Sequence, residues 1–357
     1  MSELRQDPTT RGWVIMATER RRRPHEFDKP LSSMEARKNM PLYMSDCPFC
    51  AGNEYLSTNE IRSYRTYGTY PNAKGWWVRV IPNKYAALSP DAGEAVPARL
   101  PEAQHFADYF YPRTANIFRS KPGIGSHEVI VDTPVHNENF PFFSDKQIQE
   151  VFLMYRDRYL DLHKNPRFKF IIIFKNYGAN AGTSIYHSHS QIIATPVIPL
   201  ALRNNISQAL FYYDDIGRCI FCDMLQAEIA DGRRIIFKTD DFIAFYPFAS
   251  ENQFETWIMP VKHESCFGLT SVDKTKALGI LVKKILKGIY NALGDPDYNF
   301  MIYNPPVVDE KEEYYHWSFR IVPRLTMKAG FELGTGMSIN TALPEETAEF
   351  MKDFIKD

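Results

Sequence analysis

The chain lacks any apolar run near the roughly 18 residues that a membrane-spanning helix requires. Its first residues, Met1-Ser2-Glu3-Leu4-Arg5-Gln6-Asp7, also lack the apolar core of a secretory leader. Together these absences predict a soluble, cytoplasmic protein without a membrane partner. Charge of one sign is missing as well: the formal net charge is -1, which argues against nucleic acid as a main partner. Arg20 to Arg23 form a local basic run, read as a solvated surface stretch with phosphate contacts as the alternative. Cysteine is scarce, with five in 357 residues. Four of them fall in two C-x-x-C pairs, Cys47/Cys50 and Cys219/Cys222, which in a reducing compartment point to metal rather than structural disulfides. Cys266 stands alone and receives no role. Hydrophobic residues make up 44% of the chain, enough for a large core, and the length predicts one or two domains without extended disorder.

One short stretch concentrates chemistry: Tyr186-His187-Ser188-His189-Ser190-Gln191. On a strand, alternate side chains share a face, so His187, His189 and Gln191 can converge on one small ligand. An altered copy follows in Tyr315-His316-Trp317-Ser318-Phe319-Arg320, where Ser318 replaces the second His and Arg320 the Gln.

The surrounding elements repeat in the same order. Each half has a C-x-x-C pair, an aromatic strand, a further strand ending in Pro and His (His136, His263), and an amphipathic helix. Ser144 caps the first predicted helix, with Ile148, Val151, Phe152, Tyr155, Tyr159 and Leu162 as its apolar face. Ser271 caps the second, with Leu278, Leu281, Ile285, Ile289 and Leu293. Each helix leads through a proline loop to an apolar strand, then to a loop opening on Asn176 or Asn304. The expected fold class is α+β: an antiparallel sheet with packed helices in each half, residues 1–200 and 201–357, divided near 200–210.

Zinc favours four tetrahedral ligands, and two Cys plus two His is a common structural set. Half one offers Cys47, Cys50, His136 and His187; half two offers Cys219, Cys222, His263 and His316. His127 competes for the first site, but His136 alone follows strand and Pro as His263 does. Two structural zinc ions per chain are therefore expected. His189 is left over, without a zinc role or a twin. An oriented neutral imidazole is a good nucleophile towards phosphorus. The loop from Asn176 to Ser184 adds glycines, amides and a hydroxyl suited to phosphate oxygens, and Gln191 can donate to the same group.

These residues resemble the galactose-1-phosphate uridylyltransferase branch of the histidine-triad superfamily. The resemblance runs through Arg5-x-Asp7-Pro8, Arg23-Pro24, Cys47-Pro48-Phe49-Cys50, Val78 to Tyr85, His187 to Gln191, and Gly330-Phe331-Glu332-Leu333-Gly334-Thr335-Gly336. It implies two tandem histidine-triad-like domains, the first catalytic and the second degenerate, and a homodimer. It also implies ping-pong transfer of a nucleotidyl group through His189, between a nucleoside diphosphate sugar and a sugar 1-phosphate. Asn83 matches the ribose contact, and Asn176, Ser184 and Gln191 match phosphate contacts. Phe331, Glu332, Gly334 and Thr335 match substrate residues. Ser188 and Ser190 depart from the Pro and Gly of many uridylyltransferases, and Thr326 stands where the bacterial form has a hexose-holding Lys.

The leading expectation is UDP-glucose–galactose-1-phosphate uridylyltransferase. The complete second Cys2His2 set and Phe331 to Gly336 look closer to the sub-branch with ADP-glucose phosphorylase, so adenylyl transfer with phosphate or a sulfate-type anion is the alternative. A zinc-stabilised nucleotide-binding protein without turnover is the third reading. Arg320 and Arg324 add positive charge beside the altered copy, for an anionic acceptor or for an ion pair.

Overall fold

A computed structural model describes residues 2–22, 39–90 and 121–355; Arg23 and Pro24 lie outside them. Thirteen strands and six α-helices are present among the described residues. The strands of the first half are β1 (Glu3–Gln6), β2 (Trp13–Met16), β3 (Arg62–Arg65), β4 (Trp76–Pro82), β5 (Ser126–Val131), β6 (Phe170–Tyr177) and β7 (His189–Thr195). Those of the second are β8 (Ile235–Lys238), β9 (Phe242–Phe245), β10 (Thr256–Pro260), β11 (Tyr298–Tyr303), β12 (Ser318–Pro323) and β13 (Ser338–Asn340). The helices are α1 (Asp145–His163), α2 (Leu200–Ile216), α3 (Ile220–Asp231), α4 (Val272–Leu293), α5 (Gly330–Thr335) and α6 (Pro344–Lys352).

Ten strands form one sheet in the order β3-β4-β5-β7-β6-β11-β12-β10-β9-β8. Read from either edge inward, the sequence repeat returns as the same strand order. The halves meet where β6 pairs antiparallel with β11, Tyr177 opposite Tyr298 and Ile173 opposite Ile302. The expected α+β class is what the chain adopts. Its two sheets, however, are fused edge to edge, which hides two strand edges that would otherwise attract other chains. Residues 200–210 form the first part of α2. The first strands also belong spatially with the last, because β13 pairs parallel with β2.

Alternation within the strands divides the sheet into two faces. Ile130, Ile171, Ile192, Ala244, Ile258, Phe300, Ile302 and Phe319 point to the face covered by α1 and α4 and form one core across both halves. Both helices begin where their serines predict: Ser144 Oγ accepts from Gln147 N at 3.1 Å and Ser271 Oγ from Lys274 N at 3.3 Å. Gly279 lets the helices approach closely, since a Cβ there would lie 3.1 Å from the Ile148 carbonyl oxygen. On the other face each half has its own smaller cluster beside its C-x-x-C pair. One gathers Cys47, Phe49, Cys50, Val129 and Val131; the other gathers Cys219, Phe221, Ile243, Phe245, Trp257 and Met259.

Phe300 sits at the seam, fully buried, 4.8 Å from the Phe319 ring and 5.6 Å from that of Phe140. Phe300→Ala is expected to cost about 3–5 kcal/mol of folding stability. Urea denaturation measures this, and a loss below about 1 kcal/mol would mean that the seam does not bind the halves.

Candidate active site and metal centres

The catalytic reading starts with β7, which begins at His189, so His187 and Ser188 lie just before the strand rather than in it. Alternation turns Ser190, Ile192 and Ala194 to the helix face and His189 and Gln191 to the other. His187 is fully buried. Its Nδ1 lies 3.6 Å from Cys47 Sγ and 3.6 Å from Cys50 Sγ, while His136 Nδ1 lies 3.5 Å from Cys50 Sγ. Zinc bond lengths and a tetrahedral angle predict a sulfur–nitrogen separation of about 3.6 Å, so the expected quartet has the right spacing. All four donor atoms lie within 4.8 Å of one another. The thiols are not joined in a disulfide. Burial pushes the Cys47 thiol up to about 12, so a thiolate there calls for an adjacent cation. His187 is driven the other way by burial, to about 3, which keeps it neutral as a ligand must be.

Proton positions around the two histidines follow from carbonyl oxygens, which can only accept. His187 Nε2 lies 2.7 Å from the Thr133 carbonyl, so Nε2 carries the proton and Nδ1 faces the thiols. His189 Nδ1 lies 2.8 Å from the His187 carbonyl. It must donate, which leaves the lone pair on Nε2. Burial, followed by the nearby Lys175 cation, lowers His189 to about 4, so the ring is neutral near pH 7. The result is a nucleophilic nitrogen held in one tautomer.

The strand is gripped from behind by a buried polar cluster. Lys175 Nζ donates to Asp132 Oδ2 at 2.7 Å, to Ser188 Oγ at 2.9 Å and to the His189 carbonyl at 2.8 Å. Asp132 also accepts from Ser188 Oγ at 3.0 Å and Ser190 Oγ at 3.1 Å, and the Tyr155 hydroxyl lies 2.5 Å from Ser190 Oγ. Ser188 and Ser190, which flank His189, therefore fasten the strand to the helix face. Sequence reasoning missed Lys175 and Asp132. Their spacing from the motif carries no local signal.

Other expected site residues gather on the open face. Asn176 lies within β6, not in the following loop, and its Oδ1 accepts from Asn299 of β11 at 2.8 Å. That loop turns on Gly178 and Gly182, with φ of 88° and 89°, values that favour glycine. Ser184 is exposed on it. Asn83, just beyond β4, approaches His127 Nε2 at 3.1 Å, and His127 Nε2 lies 2.7 Å from Gln191 Oε1. His127 thus belongs to this site and not to the metal quartet. The β5–β7 register brings it there, since His127 lies diagonal to Gln191 across that pairing. Phe331, Glu332, Gly334 and Thr335 form α5. Their side chains make local hydrogen bonds: Ala329 N donates to Glu332 Oε2, and Thr335 Oγ1 donates to the Phe331 carbonyl.

The second half is built differently. The donor atoms of Cys219, Cys222 and His263 lie within 4.8 Å of one another. The fourth expected ligand, His316, places Nδ1 3.5 Å from Cys222 Sγ, and its Nε2 has no hydrogen-bond partner among the described residues. Arg320 is neither on the surface nor ion-paired among the described residues. Only 8% exposed, its guanidinium lies 3.5 Å from the Trp257 ring centre and 3.9 Å from that of Tyr303. Where half one keeps an open face beside Gln191, half two fills it with a stacked cation.

A neutral imidazole beside carboxamides and a glycine loop, backed by a Cys/His quartet, is chemically suited to the transfer of a nucleotidyl group. Residues 1–199 match the family model for the N-terminal domain of galactose-1-phosphate uridyl transferase. ADP-glucose phosphorylase of Arabidopsis thaliana is 34% identical over 98% of this chain and 92% of its own. Galactose-1-phosphate uridylyltransferase of Thermotoga maritima is 27% identical over 99% of this chain and 98% of its own. The crystal structure of the Arabidopsis phosphorylase with bound ADP-glucose superimposes with a TM-score of 0.79 at 32% identity, covering 99% of this chain and 98% of that one. The chain belongs to the galactose-1-phosphate uridyl transferase family and is an enzyme of nucleotidyl transfer. No helix among the described residues is long and apolar enough to cross a membrane.

Removing Lys175 would leave Asp132 charged and unpaired in the core. Lys175→Met is expected to cost about 3–5 kcal/mol, read by urea denaturation. A change within about 0.5 kcal/mol would show that the cluster does not hold the strand.

Proposed function

We propose that this enzyme carries a nucleoside monophosphate on His189 between two phosphate compounds. His189 Nε2 attacks the α-phosphorus of a nucleoside diphosphate sugar. A P–N bond forms as the bond to the bridging oxygen breaks, and sugar 1-phosphate leaves with that oxygen and its electron pair. An oxygen of the second phosphate compound then attacks the same phosphorus; the P–N bond breaks and the imidazole recovers its lone pair. The proton stays on Nδ1 throughout, donated to the His187 carbonyl. The observation that carries this reading is the Nδ1 contact, since it fixes which nitrogen is nucleophilic.

Asn176, Ser184 and Gln191 are assigned to the phosphate oxygens, where charge is spread in the transition state. Asn83 is assigned to the ribose, and Phe331, Glu332, Gly334 and Thr335 to the sugar end. Zinc in the two Cys/His sites would be structural, fixing His187 and its carbonyl in the first half and the degenerate half in the second. Residues 1–200 act as the catalytic unit and 201–357 as the degenerate one. A homodimer in the cytoplasm completes the proposal. Exposed Met327, Phe331 and Leu333 are apolar surface that a second copy would cover.

The first substrate reading is uridylyl exchange between UDP-glucose and galactose 1-phosphate, in line with the name of the Thermotoga maritima relative, galactose-1-phosphate uridylyltransferase. The second is adenylyl transfer from ADP-glucose, favoured by the 34% identity to the Arabidopsis phosphorylase. Incubation with UDP-glucose or ADP-glucose, each radiolabelled in the α-phosphate, should place acid-labile label on the protein from one of them. His189→Asn is expected to lower labelling more than about 10³-fold, with zinc content unchanged at two per chain by elemental analysis. Equal labelling of His189→Asn would remove His189 from the chemistry. Label from neither sugar would end the covalent mechanism.

A further inference from the structure

A carboxamide offers oxygen at one end and NH2 at the other, and only the NH2 attracts a phosphate oxygen. Which end meets the substrate depends on what grips the opposite end. The Ala87 N–H lies 3.1 Å from His127 Nδ1. A main-chain N–H only donates, so Nδ1 accepts and the neutral ring carries its proton on Nε2. That proton is donated to Gln191 Oε1 at 2.7 Å. Asn83 Nδ2 approaches the same Nε2 at 3.1 Å, with its orientation fixed by the Tyr85 N–H, 2.8 Å from Asn83 Oδ1. Two donors do not bond each other, so the Asn83 NH2 stays available to a ligand. The Gln191 NH2 is likewise turned away from His127.

The same device recurs on the adjoining strands. Asn299 Nδ2 lies 2.9 Å from the Ala181 carbonyl, which only accepts. The NH2 of Asn299 must therefore face that way, and it also donates to Asn176 Oδ1 at 2.8 Å. Asn176 Nδ2 is left towards the glycine loop, 3.7 Å from where a Cβ on Gly182 would stand. The two locks have one effect. Each consumes the amide oxygen and presents the amide NH2, and one of them comes from the half that carries no nucleophile.

We propose that His127 and Asn299 are positioning residues that set the amide polarity of Gln191 and Asn176, so that both offer NH2 groups to the phosphate being transferred. This rests on the reading of Gln191 and Asn176 as phosphate donors. A reversed amide would turn a carbonyl oxygen on the phosphoryl oxygens, replacing attraction with repulsion where negative charge accumulates.

The test measures single-turnover labelling of the full-length enzyme with whichever of UDP-glucose and ADP-glucose labels the wild type. Gln191→Ala should lower the maximal rate about 10²-fold, the loss expected for one transition-state donor. His127→Phe should lower that rate at least about tenfold, with half-saturation changed less than about threefold. His127→Gln should restore it, because the glutamine amide can accept from Ala87 and donate to Gln191 as the imidazole does. In the Gln191→Ala background, His127→Phe should cost less than about a further twofold. Asn299→Asp, which cannot donate, should slow labelling at least about tenfold and provides a second arm if the Phe variant folds poorly.

Independent, multiplying losses from His127→Phe and Gln191→Ala would overturn the proposal while leaving Gln191 a phosphate donor. So would wild-type rates in both His127→Phe and Asn299→Asp. An unchanged rate in Gln191→Ala would overturn the underlying phosphate reading and the proposal with it.

Discussion

The hydrogen bond from His189 Nδ1 to the His187 carbonyl is the contact on which the site depends. It does two things at once: it orients the ring and leaves the lone pair on Nε2. A carbonyl can do this only if its own position is fixed. His187 is held on one side by the Cys47, Cys50 and His136 donors and by the Thr133 carbonyl. The next peptide is held from the other side, where Lys175 reaches both Ser188 Oγ and the His189 carbonyl. Metal-site geometry and a buried ion pair thus act on two consecutive residues. An imidazole held this way pays little reorganisation when it attacks phosphorus.

Comparing the halves shows what this arrangement costs. Met301 opposes Arg320 as Phe174 opposes Gln191, so Ile302 takes the register of Lys175, Phe319 that of Ser190 and Trp317 that of Ser188. The polar cluster behind His189 is replaced by apolar residues joined to the common core. An apolar filling is the cheaper way to pack such a site, because a buried ion pair must overcome the desolvation of both charges. Half one keeps the costly version behind His189, the proposed nucleophile. Half two, with Ser318 in the register of His189 and Arg320 stacked on Trp257 and Tyr303, continues the sheet and lends Asn299 across the seam.

Much of this was legible in the sequence because it is local. Cys spacing, the paired histidines, the capping serines and the period of the helix faces are read within a few residues. Comparing two copies then separated His187 from His189. What was hidden is non-local. No spacing joins Lys175 to Asp132, or Asn299 to Asn176, because those pairings arise only when strands meet in a particular register. The β6–β11 seam was unreadable for the same reason. His127, a competing metal ligand by sequence, is instead placed diagonal to Gln191 by the β5–β7 register.

The account stands or falls on the protonation of one ring. Long-range proton–nitrogen correlation spectra of histidine-labelled enzyme near pH 7, with the His189→Asn variant to assign the signal, report which nitrogen of His189 carries hydrogen. The account predicts the Nδ1–H tautomer, with the nitrogen shift of an unprotonated Nε2. A His189 ring protonated on Nε2 would place the hydrogen where the nucleophilic lone pair must be, and would contradict the claim that the His187 carbonyl sets the chemistry.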